Sequence, residues 1–192
     1  MSTINKDSNE RIIIRNAMKD DLRAIFEVEQ NSYPFDQQLP SQEFLERRLN
    51  IFGIRVAEHN GRIVGFYTCV PASLNWKNHA IDEETIQKIR ENRHPNYMPW
   101  FEEYHPNKKY NTLFVTSTAV MTQYQGEGIG KALVMHSLEL ARTDSLEYRA
   151  SVLRPTKTLT YIALGFTLGQ IIEKYSQDLE NGDKGIFAFK KV

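Results

Sequence analysis

Cysteine is nearly absent: 192 residues contain only Cys69. An intrachain disulfide is therefore impossible, and a metal site built from clustered cysteines is excluded. The one thiol lies in the apolar run GFYTCV, which predicts a buried structural side chain rather than a nucleophile. No sign of charge is in surplus, since 24 Lys and Arg stand against 24 Asp and Glu. A general nucleic-acid or membrane-surface binder would show a basic excess. No apolar run approaches the roughly 18 residues of a spanning helix, and the opening MSTINKDSNE is polar without an apolar signal region. These absences predict a cytoplasmic protein with no nucleic-acid or membrane partner. The five histidines, His59, His79, His94, His105 and His136, are too scattered for a metal site, so no metal is expected. No internal repeat or low-complexity tract is present.

Hydrophobic residues make up 41% of the chain, which is globular usage. The length suits one domain with a real core. Residues 1–10 are expected to be a flexible tail and 11–192 a single domain, interrupted by an insertion at about 71–110. Arg11 to Arg15 reads as a short strand. Asp20 and Asp21 open a helix carrying Leu22, Ile25, Phe26 and Glu29, and Ser41 is a candidate N-cap for a second helix. Gly53 to Glu58 and Arg62 to Val70 form a predicted hairpin around Asn60-Gly61. The insertion holds Trp76, Trp100, a predicted helix from Ile81 to Glu91 and a Pro-rich stretch; a lid or binding wall and a surface flap are both open readings. Later come a strand from Glu147 to Leu153, a helix from Pro155 to Leu164 closed by Gly165, and two strands, Phe166 to Lys174 and Lys184 to Lys190, about a turn at Asn181-Gly182-Asp183.

The most informative stretch is Leu113 to Ala132, LFVTSTAVMTQYQGEGIGKA. A β-rich run ends at Val120, a glycine turn follows, and Ile129, Ala132, Leu133, His136 and Leu140 then share one helix face. The first N–H groups of a helix lack intrahelical acceptors and lie at the positive end of its dipole. Glycines let that backbone turn sharply and approach a phosphate. Phosphate binding and a plain glycine-rich turn are the two readings. Gly130-Lys131 is followed by Ala132, which does not match a Walker loop, and no third glycine follows Gly130 at the dinucleotide spacing.

The pattern Q-x-x-G-x-G from Gln125 to Gly130, behind Thr118-Ala119-Val120, resembles the acetyl-CoA motif of the GNAT N-acetyltransferase superfamily. The resemblance implies an α/β (α+β) acyl-CoA N-acyltransferase fold, with a mixed, mostly antiparallel sheet splayed at its fourth strand and flanked by helices. By the same resemblance Gln125, Gly126, Glu127, Gly128, Ile129, Gly130 and Lys131 would hold the CoA pyrophosphate, and Thr118, Ala119 and Val120 would face the pantetheine. The Val120 amide would steady the thioester oxygen. Tyr161, four residues before Gly165, matches the family's tyrosine and would protonate the departing thiolate, since phenols stay protonated at neutral pH. Arg154 stands where many relatives have asparagine and would reach a CoA phosphate or an acidic substrate.

IFEVEQNSY and IDEETIQKI look most like the arylalkylamine (serotonin) N-acetyltransferase branch. That branch has two histidines where this chain has Phe114 and Thr116. The base therefore falls elsewhere, with Glu29 first, then Glu27 and Asp36; water alone is the other possibility. His136 reads as a core residue and His59 as a turn residue. Tyr33, Phe35, Asp36, Phe114 and Thr116 would face the acceptor, with Trp76 and Trp100 adding to an aromatic pocket. The implied activity is acetyl-CoA-dependent N-acetylation of a primary amine, a small arylalkylamine or polyamine, by a monomer or homodimer. A protein N-terminal or lysine acetyltransferase is the alternative within the class. A non-catalytic acetyl-CoA sensor or interaction module is the alternative outside it.

Overall fold

The computed structural model describes residues 2–6, 10–33, 38, 41–77, 80–91, 103–173, 175 and 184–192. The strands are β1 (Ser2–Lys6), β2 (Glu10–Asn16), β3 (Ile54–His59), β4 (Arg62–Ala72), β5 (Trp76–Lys77), β6 (Ala80–Ile81), β7 (Thr112–Val120), β8 (Tyr148–Leu153), β9 (Thr167–Ile172) and β10 (Gly185–Lys191). The helices, numbered in chain order, are α1 (Leu22–Ser32), α2 (Gln42–Ile51), α3 (Glu83–Glu91), α4 (Ile129–Thr143) and α5 (Thr158–Ala163). Two compact units make up the chain: Met1–Cys69 with Ser117–Glu139, and Val70–Thr116 with Leu140–Val192. β4, β7 and α4 pass through both.

In the first unit β1, β2, β3 and β4 pair antiparallel in that order. β1 lies in the stretch read from sequence as a tail. Asn60 and Gly61 both have positive φ, 51° and 78°, the backbone of a two-residue hairpin turn that the Asn-Gly pair favours. The β3–β4 register slips between Ala57↔Gly65 and Glu58↔Ile63, leaving Val64 as the extra residue of a bulge, a device that re-aims a strand. Leu22, Ile25 and Val28 of α1 and Leu45 of α2 pack with Ile54, Val56, Ile63, Phe66, Ala119 and Met121. Each buried Leu, Ile, Val, Phe or Met among them stabilises by about 1.5–3 kcal/mol. The entry to α1 is fixed by Asp21, which accepts from Met18 N–H at 2.7 Å and from Arg15 Nη1 at 2.6 Å. The hydrogen bond from Arg15 holds the Asp21 carboxyl below its ordinary range. Ser41 occupies the N-cap of α2 as expected, but its hydroxyl bonds to Glu43 rather than to the backbone.

In the second unit β7 runs parallel to β8, from Thr112↔Tyr148 to Val115↔Ser151. β10 pairs antiparallel with both β8 and β9. The sheet is mixed and mostly antiparallel, as expected, and the strand counted fourth from sequence is the seventh. The helix expected from Pro155 begins as a 3-10 turn, Pro155–Lys157, before α5. Ile81 belongs to β6 instead of the predicted helix: it pairs with Trp76, and α3 starts after Asp82, whose Oδ1 accepts from Thr85 N–H at 2.9 Å. The insertion leaves and rejoins the fold at one clasp. Asn111 N–H donates to Ala72 O at 3.3 Å, while its side chain accepts from Leu74 N–H at 3.0 Å and donates to Leu74 O at 2.8 Å. Beyond the clasp, Ile81 N–H donates to Gln170 Oε1 at 3.1 Å and Arg90 Nη2 to Glu173 O at 3.2 Å, which ties the insertion to β9 and the residue just beyond it. The turn expected at Asn181 to Asp183 lies outside the described residues.

Candidate functional site

In the first unit the site is built on the end of β7. Met121 N–H donates to Val64 O at 2.9 Å, and a Cβ added at Gly65 would stand 3.0 Å from Ala119 O. Residues 119 and 121 thus direct their backbone toward β4. Strand alternation turns the N–H and C=O of Thr118 and Val120 to the opposite side. There Thr118 O accepts from Tyr33 Oη at 2.9 Å, and Val120 O accepts from Ser32 Oγ and Gln125 Nε2, both at 3.0 Å. With its carbonyl so occupied, Val120 presents its N–H on that same side. Ser32 and Tyr33 were reachable only through the resemblance, and Ser32 was missed. The side chain of Gln125 folds back on the strand.

The turn that follows has Gly126 at φ 89° and Gly128 at φ 84°, with no atom within 4 Å of where a Cβ would stand at either. Its exposed backbone leads into α4, whose first bond runs from Ala132 N–H to Gly128 O at 3.0 Å. The N–H groups of Ile129, Gly130 and Lys131 precede that bond and are of the kind a helix start leaves to outside acceptors. Two left-handed glycines, open space on their Cβ side and a helix N-terminus fit a pyrophosphate. Lys131 and Glu127 are exposed.

Glu29 lies on the apolar face of α1 with Leu22, Ile25 and Val28 and is 2% exposed. Glu27 is an exposed helix-face charge 3.5 Å from Arg23. Phe35 and Asp36 lie outside the described residues, as do His79, His94 and Trp100, and the side chain of Trp76 is likewise not described. His136 is half-buried, its Nδ1 2.8 Å from Tyr67 Oη. His59 ends β3 rather than standing in the turn, edge-on to Tyr124. Cys69 is fully buried. Among the described residues no group of three His, Cys, Asp or Glu side chains could hold a metal ion.

In the second unit Tyr161 of α5 is buried, edge-to-face with Phe166 at 4.9 Å between centroids. Gly165, at φ 77°, ends that helix, and Phe166 N–H returns to Tyr161 O at 3.0 Å. Beneath the tyrosine lies a residue the sequence reading missed, Arg149 of β8, fully buried with Ser151 as its neighbour on the same strand face. A period-2 reading of YRASVL would have turned Arg149 inward with Leu153. Phe114 is buried at 3% exposure, while Thr116 and Arg154 are half-buried.

A strand end, a glycine turn and a helix start thus follow one another in this order. The chain belongs to the acetyltransferase (GNAT) family, whose model matches residues 15–166, and is thus an acyl-CoA-dependent N-acyltransferase by family. No curated protein sequence matches it. Among solved structures it is similar to GphF GNAT-like decarboxylase in complex with isobutyryl-CoA, at 20% identity over 93% of this chain and 98% of that one, TM-score 0.72. It is also similar to the ribosomal-protein-alanine N-acetyltransferase of Brucella melitensis, at 20% identity over 94% and 99%, TM-score 0.62. Naa50 of Arabidopsis thaliana, in complex with the bisubstrate analogue CoA-Ac-MVNAL, matches at 14% identity over 94% and 99%, TM-score 0.63. At these identities the likeness speaks to the fold. No helix among the described residues is long and apolar enough to cross a membrane.

Proposed function

We propose that this protein transfers an acetyl group from acetyl-CoA to a primary amine by direct attack in a ternary complex. The observation that carries the reading is the end of β7, where Thr118 O and Val120 O accept from Tyr33, Ser32 and Gln125, beside the open glycine turn at the start of α4. Acetyl-CoA supplies the activated thioester. The turn amides from Gly126 to Lys131 hold its pyrophosphate, and the Thr118 backbone bonds the pantetheine arm. Val120 N–H donates to the thioester oxygen as negative charge develops there. Glu29 accepts the amine proton, directly or through water. As the C–N bond forms and the C–S bond breaks, Tyr161 gives its proton to the sulfur and recovers one from solvent.

A small arylalkylamine or polyamine is the acceptor that the motif resemblance favours. A protein or peptide amine is the second reading, favoured by the two similar structures whose names specify a ribosomal-protein alanine and a peptide-bearing bisubstrate analogue. Thiol release from acetyl-CoA against tyramine, tryptamine, spermidine and short peptides decides between them. Turnover of one class selects it; acetyl-CoA binding without turnover of any acceptor replaces the enzyme with a sensor. Glu29→Gln should lower the rate and displace the acidic limb of its pH profile, and an unchanged profile removes Glu29 as the base.

A further inference from the structure

Among the described residues Arg149 is the largest side chain that is fully buried. Its guanidinium is placed by three neighbours, Ser151, Tyr161 and Phe166. Nη1 donates to Ser151 Oγ at 2.7 Å and Nη2 to Tyr161 Oη at 3.4 Å. Its central carbon lies 5.3 Å from the Tyr161 ring centroid and 5.0 Å from that of Phe166. Burying a charge is unfavourable unless its partners compensate, so a guanidinium in the core calls for a reason beyond filling space.

We infer that Arg149 is a positioning residue that aims the Tyr161 proton and supports the phenolate left after transfer. The inference rests on the reading of Tyr161 as the acid. A guanidinium has five N–H donors and no acceptor. The phenolic oxygen facing Nη2 therefore accepts, and the hydroxyl hydrogen has to point away from β8. Phe166 fixes the ring from its edge while the cation lies against it, so the donor direction is set before any ligand arrives. When the O–H proton moves to sulfur, the oxygen gains negative charge beside a fixed cation in a dry setting, where such pairing is strongest. Lysine at 149 would keep the charge but lose the fork that engages Ser151 and Tyr161 together.

The test is thiol release by the full chain from acetyl-CoA, with tyramine, tryptamine, spermidine and short peptides each offered as acceptor and the one turned over fastest used throughout. Wild type is compared with Arg149→Met, Arg149→Lys, Tyr161→Phe and the double variant Arg149→Met with Tyr161→Phe. Expected are a fall in kcat of roughly 10-fold or more in Arg149→Met, part of the roughly 10²–10⁴-fold that a general acid itself contributes, an acetyl-CoA KM within about twofold, and partial recovery in Arg149→Lys. In the Tyr161→Phe background the loss of Arg149 should cost no more than about twofold further, because interacting residues are not additive. Losses that multiply, an unchanged kcat in Arg149→Met, or no recovery with lysine overturn the role of Arg149 alone. Full kcat in Tyr161→Phe overturns the acid reading beneath it, and wild type that releases no thiol above background overturns the transferase reading. Where Met at 149 does not fold, the cycle is run with Arg149→Lys, whose smaller loss should vanish in the Tyr161→Phe background.

Discussion

Gly65 and Gly128 divide two uses of glycine that a sequence presents alike. At Gly65 the reason is room: an added Cβ would meet Ala119 O at 3.0 Å, with Leu133 Cδ1 and Val120 Cγ2 each at 3.3 Å. The first of these is backbone, which can yield only by moving the end of β7. Gly65→Ala is therefore expected to destabilise by about 1–3 kcal/mol, the usual penalty for overpacking, and to reduce kcat by displacing Val120. Urea unfolding alongside thiol release checks it; wild-type values in both would mean the strand end has slack. At Gly128 nothing crowds the Cβ position, and the demand is the φ of 84°, which costs a branched residue about 1–3 kcal/mol. Gly128→Val should leave the molecule folded and raise the acetyl-CoA KM several-fold. The pattern around Gly128 was legible because it repeats at short spacing. Gly65 was not, since its crowding comes from residues more than fifty positions away.

Between elements, the pair that joins β4 to α4 gives the protein a predicted sensitivity to acid. Tyr67 is buried, and its hydroxyl lies 2.8 Å from His136 Nδ1. Burial, aided by the nearby charge of Arg55, pushes the imidazole down to about 4. In the unfolded chain an unperturbed histidine titrates near 6.5. Between these values the unfolded state binds a proton that the folded state excludes, so stability rises with pH across that window. The contribution is complete above about pH 6.5 and is lost as pH falls toward 4. Asp21, held low by Arg15, adds loss in the same direction at still lower pH. His136→Gln should show a smaller difference in Tm between pH 7.5 and pH 5 than wild type. An equal difference in the two would assign the acid sensitivity elsewhere. The helical period of α4 already put His136 on its apolar face; its partner on β4 was invisible because sequence spacing carries no cross-element pairing. β5 and β6, two residues each, and the polar β1 escaped for a related reason: neither offers the run of alternating residues by which strands are read.

For the molecule as a whole, the order of strands and helices was readable because each hydrophobic period is local, and the glycine turn was readable because its chemistry is written in consecutive residues. The splice of the insertion was not: it depends on one amide side chain, Asn111, mimicking a strand partner to Leu74. Nor was the buried Arg149, since charge in a short strand reads first as exposure. What the fold makes of these parts can be tested in one titration. A ligand that binds only the native state stabilises it by RT ln(1 + [L]/Kd), about 2.7 kcal/mol at one hundred times Kd. For a chain of this size each kcal/mol moves Tm by roughly 2–4 °C, so saturating acetyl-CoA should raise Tm by about 5–10 °C. Phosphate-loop binding predicts that Gly128→Val, folded but binding several-fold more weakly, loses roughly a third of that rise at the same ligand concentration, while Tyr161→Phe keeps it. A full rise in Gly128→Val would locate acetyl-CoA away from the glycine turn and remove the basis on which the site was assigned.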